Sequence, residues 1–208
     1  MLSNDFALKV ILKNRGRTRP KGHVAKFILF LLLMFQASET MADSKKTQEV
    51  KLPNGETVTN TVTNVAPTHQ KTRVLNKQEL SNIDAQSKEA LAFVKYYLPK
   101  VKSADLKDYD LAFRAWQLSK EKRYSDAQVT QMLGSYLGNK CATDLNMEWV
   151  EINDEYGTDF AVRGKKAEVI SFPYSIVQKR IEKKQYDFLY GVFYTIEKIQ
   201  KDDSVKSR

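Results

Sequence analysis

The chain of 208 residues has one cysteine, Cys141, and two histidines, His23 and His69. A lone cysteine excludes an intramolecular disulfide, so packing must hold the fold even in an oxidising compartment. Cys141 lies near Leu137 and Leu145 on the apolar side of a helical pattern, which predicts a buried, inert thiol. Both histidines precede the segment with folded-domain composition. A Ser-His-Asp triad, a Cys-His pair or an HExxH zinc site each needs a positioned imidazole, which only a docked His69 could supply. Long hydrophobic runs are also missing. The longest, Phe27–Phe35, has nine residues, and at about 1.5 Å per helical residue it covers less than half of a roughly 30 Å hydrocarbon core. No Asn-x-Ser/Thr glycosylation acceptor occurs.

What the front of the chain does have is an ordered pair of features. A basic stretch from Lys9 to Lys26 meets the apolar run, and small residues follow, with Thr40 and Ala42 at the −3 and −1 positions for cleavage before Asp43. This order predicts a signal peptide over 1–42 and a protein exported to the periplasm or the extracellular space. An uncleaved N-terminal anchor through residues 27–35 is the alternative. Of 34 basic and 25 acidic residues, seven and two fall in 1–42, so the remainder carries 27 against 23, or +4. That modest, interspersed surplus reads as a soluble surface and gives no expectation of nucleic-acid binding. Lys165-Lys166 and Lys179-Arg180 with Lys183-Lys184 read as a solvated turn and helix face; contact with anionic lipid or polymer is the other reading.

Residues 43–74 are polar and Thr-rich and predict a flexible tether, with one alternative. Val50 and Leu52 before Pro53-Asn54-Gly55, and Thr57 and Val58 after it, have the pattern of a small hairpin. A single domain is expected over 75–202, with a disordered tail at 203–208. Asn76 with Glu79 forms a capping-box pattern, and Leu80, Ile83, Leu91, Val94 and Leu98 recur at helical spacing until Pro99. A second helix after Ser103 has Leu106, Tyr109, Phe113 and Trp116 on one face. A third follows Ser125, which with Gln128 forms another capping-box pattern, and its stripe is Val129, Met132, Leu133, Tyr136 and Leu137.

Gly134 and Gly138 sit inside that third helix, where each costs up to about 1 kcal/mol relative to Ala. Close packing of a neighbouring element against the bare groove would explain them. The string Gly134–Lys140 lacks the spacing of a phosphate-binding loop. Met147–Asn153 and Thr158–Arg163 then predict a β-hairpin about Asp154-Glu155-Tyr156-Gly157, and Ala167–Phe172 a third strand that Pro173 ends. Tyr174 to about Lys183 and Tyr186 to about Gln200 predict two closing helices. The expected fold class is α+β: N-terminal helices, a small antiparallel sheet with a hairpin, and two C-terminal helices.

The candidates for chemistry are few. Glu148, Asp154, Glu155 and Asp159 lie on or beside the hairpin, and two acids at the right separation can act as general acid and base on a glycan. Asp154 and Glu155 are the catalytic candidates, against the ordinary reading of solvated turn acids. No metal site is expected, because Asp154-Glu155 lacks the spaced oxygen ligands of a calcium loop, and no cofactor is implied. Trp149 and Tyr156, with Tyr186, Tyr190 and Tyr194 at helical spacing, combine apolar bodies with polar tips. They edge the core or form a recognition surface. Arg180 is flanked by Ile176, Val177 and Ile181, where its guanidinium could pair with Asp154 or Asp159.

The series Leu137-Gly138, Glu148-Trp149-Val150, Asp154-Glu155-Tyr156-Gly157, Ala161, Phe172-Pro173, Ile176 and Lys179-Arg180-Ile181-Glu182 resembles a bacterial family, the domain of unknown function 3806, over roughly Ile83 to Phe193. Order and spacing carry the resemblance. It implies a domain class and a bacterial source, without an activity, and marks Trp149, Asp154, Tyr156, Gly157 and Arg180 as family-like positions. The leading expectation is therefore an exported binding or protein-interaction module of the cell envelope, its partner an envelope protein or polymer. Trp149, Tyr156, Arg180, Tyr190 and Tyr194 are its candidate binding residues. A carboxylate-dependent enzyme acting on cell-wall glycan is the alternative.

Overall fold

The computed structural model describes residues 5–8, 44–51, 55, 57–64, 70–155, 157–165 and 169–206. The basic stretch, apolar run and cleavage position of the expected signal segment lie outside the described residues. The described residues form two sheets. In the first, β1 (Asp5–Leu8) runs parallel to β3 (Thr57–Asn64), which pairs antiparallel with β2 (Ser44–Lys51) in the order β1-β3-β2. Val50 stands opposite Val58, as in the hairpin alternative and unlike a flexible tether. Alternating Thr and Val explain it: β-branched residues favour the extended backbone even where overall composition is polar.

The second sheet is antiparallel throughout, in the order β4 (Lys71–Val74), β5 (Met147–Asp154), β6 (Gly157–Gly164) and β7 (Ile170–Ser171). The expected β5–β6 hairpin forms, with Trp149 opposite Val162, and its strands extend to Asp154 and Gly157, which pair. β4 draws into this sheet four residues expected in the tether. Arg73 fixes that edge, donating to Glu79 at 2.7 and 2.9 Å and to Glu151 at 2.6 and 2.9 Å. The guanidinium beside Glu79 holds that carboxyl down at about 2, helped by the Asn76 backbone N–H.

Three helices separate β4 from β5: α1 (Lys77–Tyr97), α2 (Leu106–Leu118) and α3 (Asp126–Asp144). Each opens on a reciprocal capping box, Asn76 with Glu79, Asp105 with Asp108 and Ser125 with Gln128, which satisfies N–H groups that have no partner within the helix. After the sheet come α4 (Pro173–Lys183) and α5 (Leu189–Lys206). The architecture is thus α+β. α5 continues to Lys206, across most of the expected disordered tail.

The core joins Ile83, Ala90, Phe93 and Val94 of α1 to the expected stripes of α2 and α3, with Trp149 and Val162 from one sheet face. Val150, Ile152, Ala161 and Ile170 form a second cluster on the other face. The stripe of α1 differs from expectation, since Leu80 and Leu91 are exposed. They lie eleven residues apart and so share a line along the helix, while Ile83, Ala90 and Val94 share the line that meets the core. Cys141 is fully buried, and burial pushes its thiol up to about 12. No helix among the described residues is long and apolar enough to cross a membrane.

Candidate functional site

The two faces of α3 carry the most specific geometry in the domain. On one, Gly134 and Gly138 admit two aromatic rings. A Cβ on Gly134 would lie 2.6 Å from Cδ1 of Tyr174 and 3.1 Å from its Cα, and one on Gly138 would overlap the six-membered ring of Trp149. The two rings are 5.9 Å apart. Each polar tip is held by α3 itself: Trp149 Nε1 donates to Asn139 Oδ1 at 2.9 Å, and the Tyr174 hydroxyl and Ser135 Oγ share a 2.9 Å bond. Ser135 also donates to Gln86 Oε1 of α1 at 2.9 Å. The costly glycines therefore seat the sheet and α4 against α3.

On the other face, α3 and α1 border an open groove of about 490 Å³, with Asp84 and Ser87 on one wall and Tyr136, Asn139, Lys140 and Asp144 on the other. Leu80 of α1 also lines it, which gives that exposed leucine a place. Charges are matched along each wall: Lys88 pairs with Asp84, and Lys140 with Asp144 at 2.6 Å. Lys140 Nζ also lies 5.4 Å from the centre of the Phe193 ring. Tyr136 is clamped by a parallel stack on Tyr109, centroids 3.7 Å apart and planes at 14°. Burial, then Tyr109 and the acids Asp105, Asp144 and Asp108, push its hydroxyl pKa up, so at neutral pH it is a neutral hydrogen-bonding group. Asn139 links the two faces, since the Oδ1 that holds Trp149 belongs to a side chain lining the groove. This arrangement offers a ligand hydroxyls, an amide, paired charges and one fixed ring.

The residues singled out from sequence are placed elsewhere. Trp149 is 4% exposed and fills the Gly138 groove, which assigns it to the core. Tyr156 lies outside the described residues. Asp154 and Glu155 end β5 at the hairpin turn, the first half-buried and the second exposed, and neither lines the α1–α3 groove. Glu148 pairs with Arg163 at 2.7 Å, and Asp159 accepts from Ser175 Oγ at 2.8 Å and from the Phe160 N–H. Arg180 is buried, donates from Nη1 to Gln185 Oε1 at 2.8 Å and lies 5.9 Å from the Phe188 ring centre. Tyr190 and Tyr194 are half-buried against the core and stack on each other at 6.5 Å, with Lys107 Nζ 4.9 Å from the Tyr190 ring.

Tyr186 falls before α5, because Asp187 takes a left-handed backbone with φ 57°. The group that starts α5 is Asp110 of α2, which sequence reasoning passed over. Its carboxylate accepts from the N–H of Phe188, Leu189 and Tyr190 at 2.9, 2.7 and 3.0 Å. Only 5% exposed, it is pushed up to about 7 by burial, against the pull of those three donors. Gln117, two turns on, donates to the carbonyls of Arg180 and Ile181 at 3.2 and 3.4 Å, near the end of α4. One helix thus closes the N-terminus of α5 with an acceptor and the C-terminus of α4 with a donor, as both helix ends require. A signal existed: Asp110 shares its face with Leu106 and Phe113, and an acid on a buried stripe needs strong partners.

Among the described residues no group of three or more His, Cys, Asp or Glu is arranged to hold a metal ion. No curated protein matches the chain. A crystal structure from Bacteroides thetaiotaomicron VPI-5482 is similar at 14% identity and a TM-score of 0.46, over 62% of this chain and about half (48%) of that one. Residues 109–190, from α2 to the first turn of α5, match the family model of the domain of unknown function DUF3806, the family that the sequence resembles.

Proposed function

We propose that this chain is an exported binding module of the cell envelope that takes an envelope protein or polymer in the groove between α1 and α3. The observation that carries the reading is the groove itself, where a stacked tyrosine, an anchored amide and matched charges line one open space. Sites of this kind set a few convergent polar groups on rigid elements beside an aromatic surface. The basic stretch and apolar run at the front of the chain support export. The carboxylate-enzyme alternative draws on Asp154 and Glu155, which stand at the hairpin turn and not in this groove.

Filling the groove tests the reading without touching the core. Thr143 lines it and is exposed, so Thr143→Trp should block a ligand while leaving the fold intact. Crosslinked, affinity-purified wild-type protein from its own envelope should bring down a partner or polymer that the variant fails to retain. Equal capture by both would remove the groove from the account. Unchanged capture after Tyr190→Ser and Tyr194→Ser would separate the groove from the tyrosine pair on α5.

A further inference from the structure

Several cations of the domain are seated on carboxylates, as Arg73 on Glu79 and Glu151, or Arg163 on Glu148. Six cations gather at the end formed by the last turn of α1, the segment after it and the loop between α2 and α3. Lys95, Lys100, Lys102, Lys120, Lys122 and Arg123 are all exposed there. Of these, Lys122 has a carboxylate partner, Asp126 at 3.4 Å; the other five have none among the described residues. Two of the cations are held on aromatic faces. Lys122 Nζ lies 4.2 Å from the Trp116 ring centre, and the Arg123 guanidinium 4.6 Å from Tyr96 and 5.7 Å from Tyr124. Contact with ring faces fixes a guanidinium without consuming its N–H donors.

Two large side chains with apolar surface are exposed at the same end, Tyr96 at 49% and Leu118 at 62%. A soluble polyanion would pair with the cations but gain nothing from Leu118. A bilayer interface uses both, with cations among the headgroups and the leucine and the amphipathic tyrosine below them. We propose that this end is a docking surface for an anionic lipid bilayer. Lys120, Lys122 and Arg123 meet the headgroup phosphates, and Leu118 and Tyr96 enter the interface. The proposal does not depend on the groove.

The test is sedimentation of the full chain with vesicles of phosphatidylglycerol and phosphatidylcholine, reading the lipid concentration at half-binding. Its control is Lys71→Gln/Lys77→Gln/Lys165→Gln, which removes the same charge from exposed positions on β4, at the start of α1 and just past the end of β6. Lys120→Gln/Lys122→Gln/Arg123→Gln should weaken binding about a hundredfold, at roughly fivefold per basic residue near an anionic surface, and the control should weaken it far less. Leu118→Ser, which leaves every charge in place, should weaken vesicle binding several-fold. Equal losses in both triple variants would reduce the effect to net charge and overturn the proposal, as would no loss in either, which would assign binding to the N-terminal segment. Leu118→Ser without effect, or binding to soluble polyphosphate with none to vesicles, would overturn the bilayer in favour of a polyanion. Arg123→Lys should keep most of the binding, and thermal melts of each variant separate a lost surface from a lost fold.

Discussion

The two faces of α3 solve opposite problems. One is stripped of side chains at Gly134 and Gly138 so that Tyr174 and Trp149 can close on it, and each ring tip is bonded to Asn139 or Ser135. The other keeps Tyr136, Asn139, Lys140 and Asp144 around open space facing α1. The difference separates what makes the domain rigid from what leaves it available. A side-chain-free surface costs helix propensity and is repaid only by close contact, so it marks a structural junction. A polar wall with satisfied charges costs little either way, and Asn139, which belongs to both faces, ties the groove's geometry to the seating of the sheet.

Breaking the closed side should have the largest effects. Asp110→Ala would orphan three N–H groups at the start of α5, an expected loss of about 3 kcal/mol measured by urea unfolding; a loss below about 1 kcal/mol would mean that α5 needs no such cap. Gly138→Ala forces the Trp149 indole out of its slot and away from Asn139. Overpacking of this kind costs about 1–3 kcal/mol, and near-ultraviolet circular dichroism should report the moved tryptophan.

Asp110 also gives the closed side a pH dependence. Its folded-state pKa of about 7 lies above the ordinary value of 3.8, so the folded state holds the proton more tightly. This contribution is fully present below about pH 4 and is lost as pH rises through about 7. Wild type should therefore lose about 3 kcal/mol relative to Asp110→Asn between pH 5 and pH 8. Parallel stability curves would contradict the raised pKa. The smallest change is expected on the open side, where Thr143→Trp should alter stability by less than about 0.5 kcal/mol; a larger loss would show that the groove is packing space and not a site.

Legibility in the sequence follows the same division. The capping boxes at Asn76, Asp105 and Ser125 obey local rules, and the first and last could be read from two residues each, set three positions apart. The bare groove at Gly134 and Gly138 was also readable, because a penalty inside a helix demands a compensating contact. The β5–β6 hairpin followed from period and turn chemistry. By contrast, β4 depends on Arg73 meeting Glu151, 78 residues away, a pairing that no local pattern encodes. The β2–β3 hairpin was legible only as the alternative to a tether, since Thr and Asn count as polar whether or not they pair. The groove was invisible for a related reason: Asp84 and Ser87 lie on one helix, Lys140 and Asp144 on another, and neither helix's own pattern shows that they meet. Leu80 and Leu91 outweighed Ala90 in the reading of α1, although the smaller residue lies on the line that packs.

The most direct measurement of the central proposal is capture from the native envelope by wild-type protein and by Thr143→Trp in parallel, with mass spectrometry of bait and companions. The account predicts a wild-type bait beginning near Asp43, a reproducible partner or polymer, and loss of that companion with the filled groove. A bait recovered only from the cytoplasm, or the same companions on both proteins, would contradict it.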